Sequence, residues 1–409
     1  MSRSIHVELP DSSAAVVRRL LIEGFGGHVR VAIIAESFLP HMNGVTNSVL
    51  RILEHLDRRG HQALVLAPAV SRARDERWVM GFPVRRLRSL PLPTYPEVRM
   101  NLVTDDLIVD HLRDFEPDVM HLASPFLVGP PAVRASAMLQ VPVVASFQTD
   151  VPAFTTRYSA PFVQRWAWNR LRGIHQACDV NLVPSRATLA LLQSAGVGNL
   201  QLLGRGVDST LFHPRQRSTN LHRDLGGEVL LGAVGRLAPE KSWEDLGAVA
   251  DVPGTRLVFI GDGPRRKALE RRFPRAAFLG FLTGHNLAAA IATMDICINT
   301  GLHETFCQSV QEALSCGVPV VAAGAGGPLD LISSSRTGWL YEPGDMADLR
   351  NRVVDLAGDG GKRRAMGRAA RTSVLQRTWS AVGDQLLATY QRVIDGRVTV
   401  KSGTVEEVE

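Results

Sequence analysis

Glu304 and Glu312 stand eight residues apart in the stretch 300–331, TGLHETFCQSVQEALSCGVPVVAAGAGGPLDL. Two acceptor-only carboxylates suit a ligand rich in neutral hydroxyl donors, such as a sugar or a ribose. The residues between them can form a helix from Gln308 to Cys316, with Val310, Ala313 and Leu314 on its buried side. Glu304 then lies on the loop before the helix and Glu312 about one turn inside it. A ligand lying across the helix start can meet both. Unpaired N–H groups there also favour an anion such as a diphosphate. On spacing alone, two surface charges beside an ordinary helix explain the stretch equally well. Gly317 suits the left-handed residue that ends a helix. Val318–Ala322 is an apolar run of the kind buried in a parallel sheet.

Arg236 and Lys241 lie five apart in Gly235-Arg236-Leu237-Ala238-Pro239-Glu240-Lys241, on a loop after the apolar run Val229–Val234 and before a predicted helix. Arginine as a fork and lysine as a point charge can converge on one diphosphate; solvated surface charge is the competing reading. Gly44, in Asn43-Gly44-Val45, separates a strand at 29–35 from a helix running to about Arg59. That arrangement favours a phosphate at the helix start, or simply a tight turn that needs glycine. His121 ends a strand at 118–123, and Gln148 and Asp150 follow a strand at 141–147. Ligands gather at strand C-terminal ends, so these loops are a candidate acceptor wall. His121 fits a packed strand histidine as well. Gln148 can hydrogen-bond but cannot shuttle a proton. Asp150 can share a proton from an acceptor hydroxyl, or cap the segment that follows it.

The elements that must hold these residues alternate strand and helix, which predicts an α/β chain with parallel sheets. A length of 409 residues suggests two domains of about 200 each. The predicted division is an N-terminal extension at 1–28, a first domain at 29–213, a polar linker at 214–227, a second domain at 228–377, a final helix at 378–395 and a polar tail at 396–409.

The run E-T-F-C-Q-S-V-Q-E-A followed by G-V-P-V-V-A resembles the E-x7-E motif of retaining family 4 glycosyltransferases. With F-Q-T-D and G-R-L-A-P-E-K, the chain is similar to the actinobacterial GDP-mannose-dependent α-mannosyltransferases over roughly residues 29–395. The resemblance implies the GT-B fold, two Rossmann-like parallel-sheet domains facing a central cleft, with the final helix returning to the first domain. It implies transfer of mannose from GDP-mannose to an acceptor hydroxyl of a glycolipid or phospholipid headgroup. It carries catalytic roles to Glu304, Arg236, Lys241 and Asp150. It places Asn43, Gly44, Arg236, Lys241, Phe281, Glu304, Thr305, Phe306, Cys307, Gln308 and Glu312 on the donor. Phe281 would lie under the nucleotide base, and the Gly324–Gly327 turn beside the sugar and phosphates. Gln148, Asp150 and His121 fall on the acceptor side. Many relatives have histidine where Ala123 and Gln148 stand, so no role as general base is carried to His121. The D-x-D motif common in metal-dependent transferases is absent, and the expectation is a reaction without metal or cofactor. The rivals are another donor, such as UDP-glucose, on a soluble acceptor, or a non-catalytic nucleotide-sugar-binding protein that docks on membranes.

Apolar residues make up 45% of the chain, as in a globular protein, and the net charge is +6. The excess is uneven. Residues 29–205 hold nineteen arginines against fourteen acidic residues, whereas residues 206–409 are nearly balanced. The first half is therefore the one suited to an anionic partner such as a phospholipid surface, unless it is only a solvated, arginine-rich face. Phe162, Arg165, Trp166, Arg170 and Arg172 can form a helix that touches a lipid interface, or a core helix with a basic outer face. No nucleic-acid-binding pattern is present. The four cysteines form no CxxC pair and read as reduced, cytoplasmic residues. No apolar run reaches the ~18 residues of a membrane span, and the N-terminus lacks a signal-peptide pattern. Membrane contact is expected to be peripheral. A short helix near residues 14–25 can lie on a membrane, pack on the domain or stay loose.

Overall fold

The computed structural model describes residues 28–70, 75–91, 99–101, 103–149, 161–226 and 228–401. The predicted N-terminal helix, Asp150 and the tail beyond Lys401 lie outside the described residues.

Two parallel sheets form the cores. In the first, the strand order from edge to edge is Leu200–Leu202, Val180–Val183, Val143–Ser146, Val119–Ala123, Arg30–Ala35, Gln62–Pro68, Phe82–Leu87 and Trp78–Val79, with only the last pair antiparallel. The central strand explains itself. Val31–Ala35 is apolar throughout and fully buried, as a strand covered on both faces must be. Val31, Ile33 and Ala35 pack with Val49 and Leu53 of the helix Gly44–Arg59, while Ala32 and Ile34 pack with Ile108, Leu112 and Ala132 on the opposite face. In the second sheet the order is Ala277–Phe278, Thr255–Ile260, Val229–Val234, Ile296–Asn299, Val320–Ala323 and Gly338–Tyr341, all parallel.

Each sheet reverses its strand order once. In the first the reversal lies between Arg30–Ala35 and Val119–Ala123; in the second, between Val229–Val234 and Ile296–Asn299. Such points open a crevice at the strand C-terminal ends.

Local structure adds to the sequence reading. Within the polar linker, Pro214–Gln216 and Thr219–Asp224 are helical turns. Arg217 binds them to the second domain through Thr293 O at 3.0 Å, Met294 O at 3.1 Å and Asp295 at 2.8 Å, and Leu225 enters that domain's core. Ser89–Pro91 pairs with Arg99–Asn101 as an antiparallel ribbon. The helix expected after Ser242 is instead a short 3-10 segment, Trp243–Ala248.

The helix Trp379–Lys401 runs back onto the first domain. Leu386, Tyr390 and Val393 enter that core, and His55 Nε2 lies 3.1 Å from Asp384.

Candidate active site

Lys241 and Glu304 are 63 residues apart in sequence, yet the Lys241 ammonium donates to Glu304 Oε1. The strand reversal brings them together. Their loops leave the C-terminal ends of Val229–Val234 and Ile296–Asn299, which are neighbours in the sheet. Both side chains are largely buried. Thr300 Oγ1 donates to Lys241 O at 2.7 Å and Trp243 Nε1 donates to Arg236 O at 2.9 Å, so the cationic loop is held at both ends. Burial opposes the Lys241 charge, but the Glu304 carboxylate outweighs it and holds the ammonium above the ordinary lysine range. Arg236 lies exposed on the same loop.

The helix Gln308–Ser315 buries Val310, Ala313 and Leu314 as the spacing predicts, and Gly317 is left-handed with φ 71°. Cys307, just before it, also has a left-handed backbone, φ 74°. Burial, then the Glu304 charge, pushes its thiol up to about 12, so it stays protonated and is no nucleophile. Burial likewise pushes the Glu312 carboxyl up to about 8, against Gln308 and Arg51 of the first-domain helix Gly44–Arg59.

Side-chain bonds join this helix and its leading loop to the first domain. Gln308 Nε2 donates to Gly206 O at 3.1 Å and Gln311 Nε2 to Arg205 O at 3.0 Å. Thr305 Oγ1 donates to Gln148 O at 3.0 Å, and Thr188 Oγ1 donates to Thr305 O at 3.1 Å. Glu304, Thr305, Lys241 and Gln148 thus share one seam between the domains. The Gly324–Gly327 turn of the second domain adjoins it, with Gly327 N donating to Glu304 O at 2.7 Å.

Arg205 is the residue that sequence reasoning passed over. Its Nη2 donates to Gln148 Oε1 at 3.0 Å. Its Nη1 lies 3.2 Å from the place a β-carbon on Gly44 would occupy. Gly44 has no positive φ, and a β-carbon there would press on this guanidinium. Burial lowers Arg205 to about 10 with Glu304 opposing, so it remains charged at neutral pH. The available signal was the run Gly204-Arg205-Gly206 at the end of Leu200–Leu202, a strand C-terminus like those already singled out.

Three expected site residues point elsewhere. His121 is fully buried. Its Nε2 lies 3.1 Å from Ser146 Oγ and its Nδ1 2.8 Å from Tyr390 OH, and burial lowers it to about 4. It ties the returning helix to the sheet and does not present itself as an acceptor wall. The Asn43 side chain is engaged locally: Oδ1 accepts from Val45 N and Thr46 N at the start of its own helix, and Nδ2 donates to Ser37 Oγ at 2.6 Å. The Phe306 side chain turns into the second domain's core. Phe281 is 65% exposed.

Comparison with known proteins agrees with this architecture. Residues 42–211 match the model of Glycosyltransferase Family 4, and residues 219–373 that of Glycosyl transferases group 1. The chain is 44% identical to a GDP-mannose-dependent alpha-mannosyltransferase of Mycobacterium tuberculosis, covering 91% of this chain and 98% of that protein. It is 34% identical to the sulfoquinovosyl transferase SQD2 of Arabidopsis thaliana, over 86% of this chain and 71% of the other. The sucrose-phosphate synthase structure from Thermosynechococcus elongatus superposes with a TM-score of 0.78 at 18% identity, over 90% of this chain and all of that one, which speaks to the fold. The chain belongs to the family 4 glycosyltransferases, retaining hexosyltransferases of GT-B architecture.

Proposed function

We propose that this protein transfers mannose from GDP-mannose to an acceptor hydroxyl with retention of anomeric configuration, and that the acceptor is a glycolipid or phospholipid headgroup. One observation carries the reading: Lys241 and Glu304 meet at the strand reversal of the second sheet, facing the first domain's Gln148. A cation for the diphosphate and a carboxylate for sugar hydroxyls are needed side by side at the sugar–phosphate bond. In the reaction the bond between the anomeric carbon and phosphate oxygen breaks, and the acceptor oxygen bonds to that carbon. The negative charge left on GDP falls to Arg236, Lys241 and the Asn43 and Gly44 amides, since the Val45 and Thr46 amides are taken by the Asn43 cap. These groups do the work a metal does in other transferases. Glu304 holds sugar hydroxyls and Glu312 the ribose. The departing phosphate oxygen helps take the acceptor proton, with Asp150 as the candidate to share it.

The relative from M. tuberculosis is named for GDP-mannose, and the 44% identity to it supports that donor. The 34% identical plant relative is named for a different sugar, which keeps a second donor class in view. Among the described residues no helix is long and apolar enough to cross a membrane. The proposed membrane contact is peripheral, on the cytoplasmic face, through the arginine-rich first domain. Phe162 is 75% exposed and Trp166 52%, with Arg170 over the Trp166 ring at 5.6 Å, a mixed aromatic and cationic surface.

The test is incubation with a donor panel and a lipid extract, reading released nucleotide and the mass of the product. GDP-mannose is expected to give a mannosylated lipid and GDP in equal amounts, with an α-linkage by NMR. Turnover of a UDP-sugar with none of GDP-mannose sinks the donor assignment.

A further inference from the structure

We propose that Arg205 is a positioning residue for the transfer, acting through the Gln148 side chain. This rests on the mannosyl-transfer reading above and adds a part that no motif assigns.

The geometry is specific. A guanidinium carries donors only, so its 3.0 Å bond to Gln148 must be to the amide oxygen. That fixes which way the amide faces: Oε1 toward Arg205 and the donor group Nε2 on the other side. An unheld glutamine would sample both orientations. Arg205 itself cannot swing freely. Its backbone oxygen accepts from Gln311 Nε2 at 3.0 Å, on the helix Gln308–Ser315, and its Nη1 packs against the Gly44 turn. One residue therefore links the donor-side helix, the Gly44 turn and the acceptor-side amide. Gln148 is tied a second time, since its backbone oxygen accepts from Thr305 Oγ1 at 3.0 Å beside Glu304.

The charge also matters. The Glu304 carboxylate lies near enough to support the Arg205 charge against burial. Lys241 bonds the same carboxylate directly. Glu304 therefore bears on two cations, bonding Lys241 and supporting the charge of Arg205, and Arg205 is the one that also holds Gln148. A hydrogen bond from a charged group is worth more than a neutral one. Its loss lets the amide rotate in the step where alignment counts.

The experiment compares wild type, Arg205→Gln, Arg205→Lys, Gln148→Ala and the Arg205→Gln/Gln148→Ala double variant, all as full chains, with GDP-mannose and the lipid extract. Thermal melting reports folding. Turnover by wild type checks the donor reading first, so its failure is separable from failure here. Arg205→Gln is expected to lower kcat by about tenfold to a hundredfold, as loss of a charged hydrogen bond does, with KM for GDP-mannose changed by less than about threefold. Arg205→Lys keeps one donor for Oε1 and should retain more of kcat. In the double variant the Gln148 change should cost less than it does alone, since the pair is already broken. A rise in KM with kcat unchanged, or effects that simply multiply in the double variant, overturns the proposal. If Arg205→Gln does not fold, Arg205→Lys alone and combined with Gln148→Ala applies the same criteria.

Discussion

At the scale of single residues the seam is a balance of charges. Lys241 bonds Glu304, and both are largely buried, so removing either leaves its partner's charge poorly compensated. Lys241→Ala and Glu304→Ala are each expected to lower kcat/KM on the order of a hundredfold or more, measured by release of GDP. Near-wild-type turnover by both would break the assignment. Two acids carry a pH signature. Burial raises Glu312 to about 8, and Glu36 to about 7 against the N–H groups of Phe126 and Val128. In the unfolded chain a glutamate releases its proton near pH ~4.3. Between that pH and the raised values the folded state binds more protons than the unfolded state, so stability falls as pH rises. Urea unfolding should show lower stability at pH 8.5 than at pH 6.5, above which the buried histidines no longer contribute, with a smaller decline in Glu312→Gln; an equal decline in the variant contradicts the Glu312 part. The two glutamates and the Arg236–Lys241 pair were legible because each pair lies within one short stretch. Arg205 was not, because Gln148 and Gly44, which give it meaning, lie on other loops. His121 stood between two readings because a strand end predicts proximity to a ligand; Tyr390, 269 residues away, settles the imidazole in the packed one.

At the scale of elements, parallel strands were readable as apolar runs, and caps as in Ser185 before Arg186–Ser194 marked helix starts. The helix Gly129–Leu139 was hidden by its Gly-Pro-Pro opening, although proline is well tolerated in a first turn. The linker was hidden by composition: what docks it is an arginine fork, the Ser218 amide on Thr293, His222 against Asp295 and two leucines, not a periodic apolar face. The returning helix offers the sharpest test. Gly383 packs so closely on the His55 ring that a β-carbon there collides with it, whereas nothing lies within 4 Å of a β-carbon on Gly396 in the same helix. Gly383→Ala should destabilise by about 1–3 kcal/mol through overpacking. Gly396→Ala should be neutral or stabilising by up to ~1 kcal/mol through helix propensity. Urea denaturation of the two variants reads the difference, and equal behaviour would mean the helix does not sit on His55.

At the scale of the whole molecule the question is whether two sheets make one cooperative unit. Each has cores on both faces and, at roughly 150 to 180 residues, each is large enough to fold alone. Several ties oppose independence. The returning helix belongs in sequence to the second half but packs in the first core. Gln308 and Gln311 bond the last loop of the first domain, Thr305 bonds Gln148 O, and Arg371 donates to Phe212 O and Ser209 O, both at 3.3 Å. Freeing either domain therefore exposes apolar surface of the returning helix and strands these donors. One calorimetric transition is expected. GDP spans the seam in the proposed mode, so at about a hundred times its Kd it should add ~2.7 kcal/mol to the folded state. In a chain of this size that moves the whole transition upward by on the order of 3 °C. Two transitions, of which GDP shifts only one, would show that the second domain binds the nucleotide by itself and that the seam contributes nothing to donor affinity.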